Sequence, residues 1–414
     1  MKVYLNVVRF FPTPDSWRGV YCLDFVRALE RSLDRAALPY RSVVFAEGDG
    51  TDYVVGGVTV HTFKAIRLPS NVFPFLFSRW NRRHFLAALE RAGIRLEDVA
   101  VCHGHTANYA IYPLAVKARN PNCLTLLHHH DLQSFGLNGG ILRHCLAYNL
   151  IEFPVLRRLH EQIDCHVFIS EASRRSFLSA PDANWSAYSD YRRQMRGLPW
   201  RPARIKDSVV LHNGVDKSLF RPSGTCKTQT DGRFVVGCVG NFHELKDQMT
   251  LLRAAKILAA TASFRICMRF IGTGQTLATC RAFAEQNGIV AEFWPECPHE
   301  ELPQFYQGLD LFVLPSRFEG FGCVYTEAHA CGVPFIACEG QGIEDILPKE
   351  NRERWLCKAG DAEDLAAKIR AAIGLIGCMD EKSKRIGCSA SLQPLSEDQT
   401  IDALVAQFVR RLVQ

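Results

Sequence analysis

Short runs of apolar residues alternate with longer amphipathic stretches from one end of the chain to the other. Nearly continuous apolar runs are typical of strands buried on both faces of a parallel sheet. The predicted strands are 3–8, 42–46, 99–102, 123–127 and 165–169 in the first half and 234–239, 267–271, 291–294, 311–314 and 333–337 in the second. The predicted helices include 20–33, 248–260, 275–286 and 361–373. This alternation predicts an α/β protein with doubly wound parallel sheets.

The strand–helix pattern starts again after the polar stretch 224–233, which predicts two domains. We assign residues 1–210 to a first Rossmann-like domain and 211–395 to a second, and expect the two to face each other across a cleft. Residues 396–414 are predicted to form a helix that packs back on the first domain.

The composition is that of an ordinary globular protein and excludes a disordered or fibrous chain. Of the 414 residues, 47% are hydrophobic and 22% are charged, enough for two cores. The formal net charge is +6, but residues 1–210 carry 27 Lys and Arg against 18 Asp and Glu, whereas residues 211–414 carry 22 against 25. Either the two halves face different partners or their solvated surfaces are unequally decorated.

Cysteine usage and hydropathy predict a cytoplasmic protein with reduced thiols. The 16 cysteines include no C-x-x-C pair, which argues against a disulfide framework or a zinc knuckle. The first apolar run, 3–8, ends at Arg9 and is too short for the core of a signal peptide. The longest stretch without Asp, Glu, Lys or Arg, 99–116, contains two histidines and a proline and does not indicate a membrane span.

The segment 315–328 carries the most informative chemistry, because it follows a predicted buried strand. Gly320 and Gly322 predict a turn in which backbone N–H groups can approach a ligand, and a helix whose amino terminus favours an anion begins near Cys323. Glu319 and Glu327 flank this anion site. Carboxylates repel phosphate, so we expect Glu319 to bind sugar hydroxyls and Glu327 to bind a ribose diol. A glycine turn with two solvated glutamates would give the same short pattern.

An ordered series of motifs across about 211–345 resembles the retaining family 4 glycosyltransferases of the GT-B fold. The segment 319–327 is similar to the E-x7-E region of that family, and the glycines of 340–342 are similar to its glycine-rich turn. Upstream, 213–216 resembles the interdomain N-G-V-D sequence, 240–246 the phosphate-binding loop and 272–274 the G-x-G turn. The first half resembles the family less closely.

The resemblance implies a nucleotide-diphosphate-sugar donor, with a UDP-sugar favoured over a GDP-sugar, and a transfer that retains the anomeric configuration without a metal or cofactor. The implied catalytic residues are Glu319, His130 and Lys246. The implied donor-binding residues are Gly19, Asn241, Lys246, Gly272, Gly274, Phe321, Gly322, Cys323 and Glu327. On the acceptor or sugar side the resemblance implies His105, Asp131 and Ser170. His130 is the residue expected to move a proton, because the usual pKa of histidine lies near neutrality.

The sequence departs from the family pattern at three positions. Asn241 stands where the family usually has arginine, which leaves Lys246 as the evident cation of the phosphate loop. Thr273 stands where an acidic residue is common, and Arg18 precedes Gly19 in place of paired glycines. These departures bear on donor contacts more than on the fold.

The run His128–His130 raises the question of a metal site. Adjacent side chains of a strand point to opposite faces, so this run is a poor cage for a single metal, and we expect no metal site. His103 and His105 share a face, and either a hydrogen-bonded pair at a strand end or a ligand pair accounts for them.

Two basic, aromatic segments, 72–85 and 185–206, lie in the first half. Such mixtures suit an anionic membrane surface or a lipid-diphosphate-linked acceptor, although aromatics packed on the domain would give the same composition. No nucleic-acid reader module is present in the sequence, so no nucleic acid partner is expected. The predicted function is therefore transfer of a sugar to a glycan or lipid-linked acceptor in cell-surface polysaccharide biosynthesis, such as that of lipopolysaccharide, on the inner face of the plasma membrane.

Two other functions remain open at this stage. A non-catalytic subunit that binds nucleotide-sugars would explain Asn241. A nucleotide-sugar epimerase with GT-B-like architecture is the other alternative, and the ordered E-x7-E context argues against it.

Overall fold

A computed structural model describes residues 1–13, 16, 19–67, 76–130, 153–178, 204–223, 233–261, 265–317, 319–377 and 396–409. The chain divides into two compact units. Unit 1 comprises Met1–Trp185, Ser189–Asn213 and Glu397–Gln414, and unit 2 comprises Ser186–Tyr188 and Gly214–Ser396. The main division lies at Asn213/Gly214, compared with 210/211 in the sequence analysis.

The strands are β1 (Lys2–Val8), β2 (Tyr40–Glu47), β3 (Tyr53–Val55), β4 (Val58–Phe63), β5 (Val99–Gly104), β6 (Leu124–His129), β7 (Cys165–Phe168), β8 (Ser208–Val210), β9 (Arg233–Val239), β10 (Arg265–Ile271), β11 (Ala291–Trp294), β12 (Leu311–Val313), β13 (Phe335–Cys338) and β14 (Leu356–Cys357). The α-helices in the described residues are α1 (Val20–Arg35), α2 (Ser78–Arg91), α3 (Ile111–Lys117), α4 (Phe153–His160), α5 (Glu171–Leu178), α6 (Gln248–Thr261), α7 (Leu277–Gln286), α8 (Leu302–Gln307), α9 (Cys323–Ala330), α10 (Lys349–Trp355), α11 (Ala362–Gly377) and α12 (Glu397–Leu404). No helix within these described ranges is both long enough and apolar enough to cross a bilayer.

Unit 1 is built on an eight-stranded sheet with the order β3-β4-β2-β1-β5-β6-β7-β8. Its neighbouring strands are parallel except β3 and β4, which form an antiparallel hairpin. Side chains of β1 alternate between two cores: Val3 and Leu5 enter one, whereas Tyr4 and Val8 pack with α1 in the other. A sheet covered on both faces explains why its central strands are almost wholly apolar.

Helix α12 belongs to unit 1, although all of unit 2 precedes it in the chain. Asp398 forms an ion pair with Arg31 of α1 at 2.9 Å, and Asp402 forms one with Arg35 at 2.8 Å. Ile401 of α12 is buried in the same core as α1. The packing of α12 thus closes the α1 face of unit 1.

Unit 2 is built on a parallel six-stranded sheet with the order β11-β10-β9-β12-β13-β14. The strand order reverses between β9 and β12, and in unit 1 it reverses between β1 and β5. In open parallel sheets, such a reversal leaves a crevice at the carboxyl ends of the two strands where ligands bind. The two reversals therefore mark one candidate binding region in each unit.

The α/β class with doubly wound sheets is confirmed, and all ten predicted strands are present, nine of them with shifted ends and 291–294 with the ends predicted. The sequence analysis did not predict the antiparallel β3–β4 hairpin at the edge of the unit 1 sheet. Its strands are joined by Gly56 and Gly57, which both have positive φ, of 57° and 83°, as a tight two-residue turn requires.

Candidate functional site

The candidate site of unit 2 begins with the loop that joins β9 to α6, residues 240–247. Gly240 opens the loop with a φ of 149°. Asn241 is exposed, and the backbone N–H of Lys246 donates to His243 O at 2.9 Å. The loop lies at the carboxyl end of β9, where the strand order reverses.

The predicted donor glycines Gly272 and Gly274 pack against this loop. A Cβ atom on Gly272 would lie 2.3 Å from Gly240 O, and one on Gly274 would lie 2.3 Å from Phe242 O. Both residues also have a φ of 142°, which side chains other than glycine rarely adopt. Glycine is therefore required at both positions because the backbone of 240–242 packs directly against them. Direct contact of these glycines with a donor stays a prediction.

The segment after β12 is fastened to the same loop. The backbone N–H of Arg317 donates to Leu245 O at 2.8 Å, and its guanidinium Nε donates to Asp247 Oδ2 at 2.7 Å. Ser316 Oγ also donates to Leu245 O, at 3.0 Å. The carboxyl-end connections of β9 and β12 thus form one hydrogen-bonded assembly.

Helix α9 begins next to this assembly, and its first turn contains no acidic residue that would repel an anion. Gly322 is its N-cap in the left-handed conformation, at φ 83°, and a Cβ there would lie 2.5 Å from the Tyr325 ring. Tyr325 is fully buried and donates to Leu314 O at 2.8 Å, which fixes the helix to the end of β12. No acid lies in the first turn, so its N–H groups can bind an anion.

Glu319 and Lys246, predicted from separate motifs, form an ion pair across the two connections. Their side chains are 16% and 30% exposed, so both remain accessible to a ligand. The structure therefore brings together a cation suited to phosphate and a carboxylate suited to sugar hydroxyls.

Glu327 lies in α9 and is 7% exposed. Its Oε2 accepts from the Tyr306 hydroxyl at 2.8 Å, and its Oε1 lies 3.1 Å from His299 Nε2. Burial, together with the charge of Glu327, raises the pKa of Tyr306 well above its usual value, so Tyr306 stays a hydrogen-bond donor. A carboxylate accepts about four hydrogen bonds, and these two contacts leave capacity for ligand hydroxyls.

His299 and Tyr306 were not found by sequence reasoning. They lie 28 and 21 residues from Glu327 in the chain, in a segment that matches no motif. No sequence signal singles them out, because neither residue directly follows a predicted strand.

The remaining predicted residues of unit 2 occupy less direct positions. Phe321 is 2% exposed, so its side chain belongs to the interior. Cys323 is the first residue of α9 and partly exposed. Gly342, from the glycine-rich turn, packs so closely that a Cβ would lie 1.9 Å from Gly320 O, and this contact supports the turn that carries Glu319.

In unit 1, the predicted residues lie at several strand ends. Gly19 is the N-cap of α1 at φ 87°, and a Cβ there would lie 2.4 Å from Phe10 O. Ser170 Oγ accepts from the backbone N–H of Ser173 at 2.8 Å, which caps the start of α5. Asp131 lies outside the described residues. The acceptor-side assignments thus stay predictions.

His105 and His130 are brought together at the reversal point of unit 1. His105 Nδ1 and His130 Nε2 lie 3.1 Å apart. Burial lowers the pKa of His130 to about 3, whereas the sequence analysis assumed a value near neutrality. His130 is therefore suited at pH 7 to hydrogen bonding as a neutral imidazole.

Known proteins are similar to this chain in sequence over part of unit 2 and in fold over nearly its whole length. Residues 227–387 match the family model described as "Glycosyl transferases group 1". The structure of HepE from Anabaena in complex with UDP is similar over 99% of this chain and 100% of that one, with a TM-score of 0.66 and 17% sequence identity. Residues 227–387, within unit 2, are thus similar to that family, and the chain has the α/β fold of the GT-B glycosyltransferases, as the resemblance predicted.

Two curated relatives are similar to parts of the chain. D-inositol 3-phosphate glycosyltransferase 1 from Catenulispora acidiphila is 34% identical over 183 residues, 40% of this chain and 43% of the relative. The lipopolysaccharide core biosynthesis mannosyltransferase LpsB from Rhizobium meliloti is 28% identical over 198 residues, 45% of this chain and 54% of LpsB. The matched region spans about half the length of these relatives.

Proposed function

We propose that this protein is a retaining glycosyltransferase that transfers a sugar from a nucleotide-diphosphate sugar to a glycan or lipid-linked acceptor. The observation that carries the proposal is the Lys246–Glu319 ion pair beside the amino terminus of α9, whose first turn contains no acidic residue. This arrangement offers positive charge to a diphosphate and a carboxylate to the sugar attached to it.

We assign the nucleoside to Glu327, whose buried carboxylate is fixed by Tyr306 and His299. A carboxylate in such a position binds the two hydroxyls of a ribose through its remaining acceptor sites. The UDP complex of HepE supports UDP as the nucleotide part of the donor.

The chemical step requires stabilisation of the negative charge that develops on the leaving diphosphate. We assign this role to Lys246 and to the backbone N–H groups at the start of α9, which act without reorganising. We propose that these groups suffice without a metal at the diphosphate. Glu319 orients the donor sugar, and the acceptor attacks the face from which the diphosphate departs.

For the acceptor we propose a cell-surface glycan or its lipid-diphosphate-linked precursor, on the cytoplasmic side of the membrane. Similarity to LpsB supports a role in polysaccharide biosynthesis. On α2 of unit 1, Trp80 is 49% exposed beside the exposed Arg79 and Arg83, a combination that suits an anionic lipid surface. We assign the sugar and acceptor contacts of unit 1 to His105, His130, Asp131 and Ser170.

The first experiment measures thermal stabilisation by UDP, GDP and ADP, because a ligand that binds the native state raises the melting temperature. We expect UDP to stabilise the wild type and a control, Glu285→Ala, which removes an exposed carboxylate of α7. Glu327→Ala is expected to lose the shift. If no nucleotide stabilises the wild type, the proposal fails.

A second experiment separates transfer from binding. Incubation with the UDP-sugar that stabilises the protein best and a lipid-diphosphate-linked acceptor should release UDP, and NMR of the glycoside should show the donor's anomeric configuration. An inverted product would contradict the retaining assignment.

A non-catalytic nucleotide-sugar-binding subunit is the second candidate, because Asn241 is exposed where the family has arginine and the charge of Lys246 is balanced by Glu319. Such a subunit would bind the donor without consuming it. Donor consumption that disappears in Lys246→Ala would exclude it.

A further inference from the structure

Four histidines stack on the α1 face of the unit 1 sheet, at the reversal between β1 and β5. His103 and His105 come from the end of β5, with ring centroids 4.3 Å apart, and His128 and His130 come from the end of β6, 4.0 Å apart. The rings of His103 and His128 are nearly parallel across the two strands, at 5.3 Å. Phe25 of α1 covers the stack with edge-to-face contacts.

Three of these side chains, His103, His105 and His128, form what we call the histidine triad. Each offers a ring nitrogen, and the three nitrogens lie within 4.8 Å of one another. The three residues are 0%, 1% and 2% exposed. The rings are stacked, so they must rotate about their side-chain torsions before the three lone pairs converge on one metal ion, where each metal–nitrogen bond is about 2.0–2.1 Å long.

The triad contains ring nitrogens that no described residue satisfies. His103 Nε2 and both nitrogens of His128 are buried without a hydrogen-bond partner among the described parts of the chain. A neutral imidazole has one N–H and one lone pair, and leaving a buried polar group unpaired costs about 1–3 kcal/mol. Two neighbouring histidines with unpartnered ring nitrogens indicate a ligand that accepts a lone pair from each, as a metal ion does.

In two members of the triad, His103 and His105, one ring nitrogen is held by a residue of β1. Tyr4 Oη lies 2.9 Å from His103 Nδ1, and Asn6 Oδ1 lies 3.2 Å from His105 Nε2. Asn6 Nδ2 donates to Ser42 Oγ at 3.1 Å, which orients the amide. Metal-binding histidines are held in this way, with the nitrogen opposite the metal donating to a neighbouring oxygen.

We propose that the histidine triad binds one d-block cation of the Zn²⁺ class, with a fourth position filled by water. Imidazole ligands select zinc, copper and nickel over magnesium and calcium. Ligation by His105 Nδ1 would replace its contact with His130, and the ion would join β5 to β6 beneath α1. This site is built only from residues of unit 1.

Two other groups of ligand-type side chains are weaker candidates for the same ion. Cys22, with His105 and His130, shares one member with the triad. On the opposite face, His129 forms a group with His160 and His166, but His129 Nε2 and His166 Nδ1 are already within hydrogen-bond distance, at 2.9 Å. The triad is favoured because three of its ring nitrogens, on His103 and His128, have no partner among the described residues.

The test measures zinc by mass spectrometry in the full chain after loading with Zn²⁺ and gel filtration. We expect about one ion per chain in the wild type and background levels in His128→Asn. Cys22→Ser, His129→Asn and the surface control His84→Asn should all keep the ion. A wild type without zinc, or loss of zinc in Cys22→Ser or His129→Asn with retention in His128→Asn, would overturn the proposal.

A measurement on the wild type covers the case in which His128→Asn does not fold. Co²⁺ in place of Zn²⁺ should give visible d–d bands typical of four-coordinate nitrogen and oxygen ligands, without a thiolate-to-cobalt charge-transfer band. That band would place the ion at Cys22 and contradict the assignment. Saturating Zn²⁺ should also raise the melting temperature of the wild type, and an unchanged melting temperature would argue against a bound ion.

Discussion

The ammonium group of Lys246, in the loop after β9, is paired with the carboxylate of Glu319, in the turn after β12. Each side chain is partly exposed, and each comes from a connection at the strand-order reversal of unit 2. A diphosphate-sugar that binds here competes with this pair: its phosphate attracts the ammonium and its hydroxyls attract the carboxylate. We therefore expect donor binding to break the ion pair, with Lys246 contacting the diphosphate and Glu319 contacting the sugar.

The first prediction concerns Lys246→Ala. Removing the cation should lower kcat by about 100-fold, because stabilisation of charge on the leaving group is lost. Lys256→Ala, which removes an exposed lysine of α6, should leave kcat unchanged. An unaltered kcat in Lys246→Ala would show that the diphosphate is stabilised elsewhere.

The two carboxylates should respond differently to truncation. Glu327→Ala should weaken UDP binding by roughly tenfold or more, since a hydrogen bond to a charged group contributes about 1.5–3 kcal/mol. Glu319→Ala should lower turnover while sparing UDP binding, because UDP has no sugar for it to orient. Calorimetric titration with UDP, beside initial rates, checks both. Equal losses of UDP affinity would mean that the two roles are misassigned.

Gly272→Ala should disturb both stability and donor binding. The added Cβ would meet Gly240 O at a conformation that favours glycine, which costs about 1–3 kcal/mol. Gly374→Ala is the matched control, because this glycine lies in α11 with nothing within 4 Å of the added atom, and the change should stabilise the helix by up to ~1 kcal/mol. Urea unfolding and UDP titration of both variants measure the difference. Equal stability in the two variants would contradict the close packing.

The pH dependence of stability should include a contribution from Asp164 of unit 1. Burial raises its pKa, but hydrogen bonds from Lys117, Thr125 and Lys206 more than compensate and lower it to about 2. A pKa lower in the folded than in the unfolded chain stabilises the fold above the unfolded value of 3.8, and this contribution is lost as the pH falls from about 4 towards 2.

Urea unfolding of wild type and Asp164→Asn between pH 7 and pH 3 tests this expectation. The difference in the free energy of unfolding between wild type and Asp164→Asn should be constant near pH 7 and should shrink below about pH 4. Asp34→Asn, which changes an exposed residue of α1, serves as the control. A difference that does not change with pH would assign the effect to packing instead of charge.

The sheets could be predicted because buried parallel strands leave apolar runs in the sequence. Strand β3 has only three residues, which are partly exposed, and β4 alternates apolar and polar residues, so neither gives a continuous apolar run. Gly56 and Gly57 between them are nevertheless a hairpin signal. Strand β14 spans two residues, too few for any periodicity.

In the site, glycine-rich turns gave the positions of Glu319 and Lys246, since backbone conformation restricts residue type locally. Tyr306 could not be found, because its partnership with Glu327 depends on tertiary packing. The histidine triad is not visible in the sequence for a related reason. Alternation of side chains describes the residues within one strand, whereas His128 of β6 stacks on His103 of the neighbouring β5.

The position of α12 has a consequence for the order in which the chain folds. Leu29 of α1, near the beginning of the sequence, is covered by the cluster that includes Ile401 and Leu404. A ribosome makes nearly all of unit 2 before it makes these residues. Unit 2 can therefore complete its core during synthesis, while unit 1 must keep an apolar helix face uncovered until residues 397–409 emerge. A fragment that ends at residue 213 would keep that face exposed and would aggregate more readily than the whole chain.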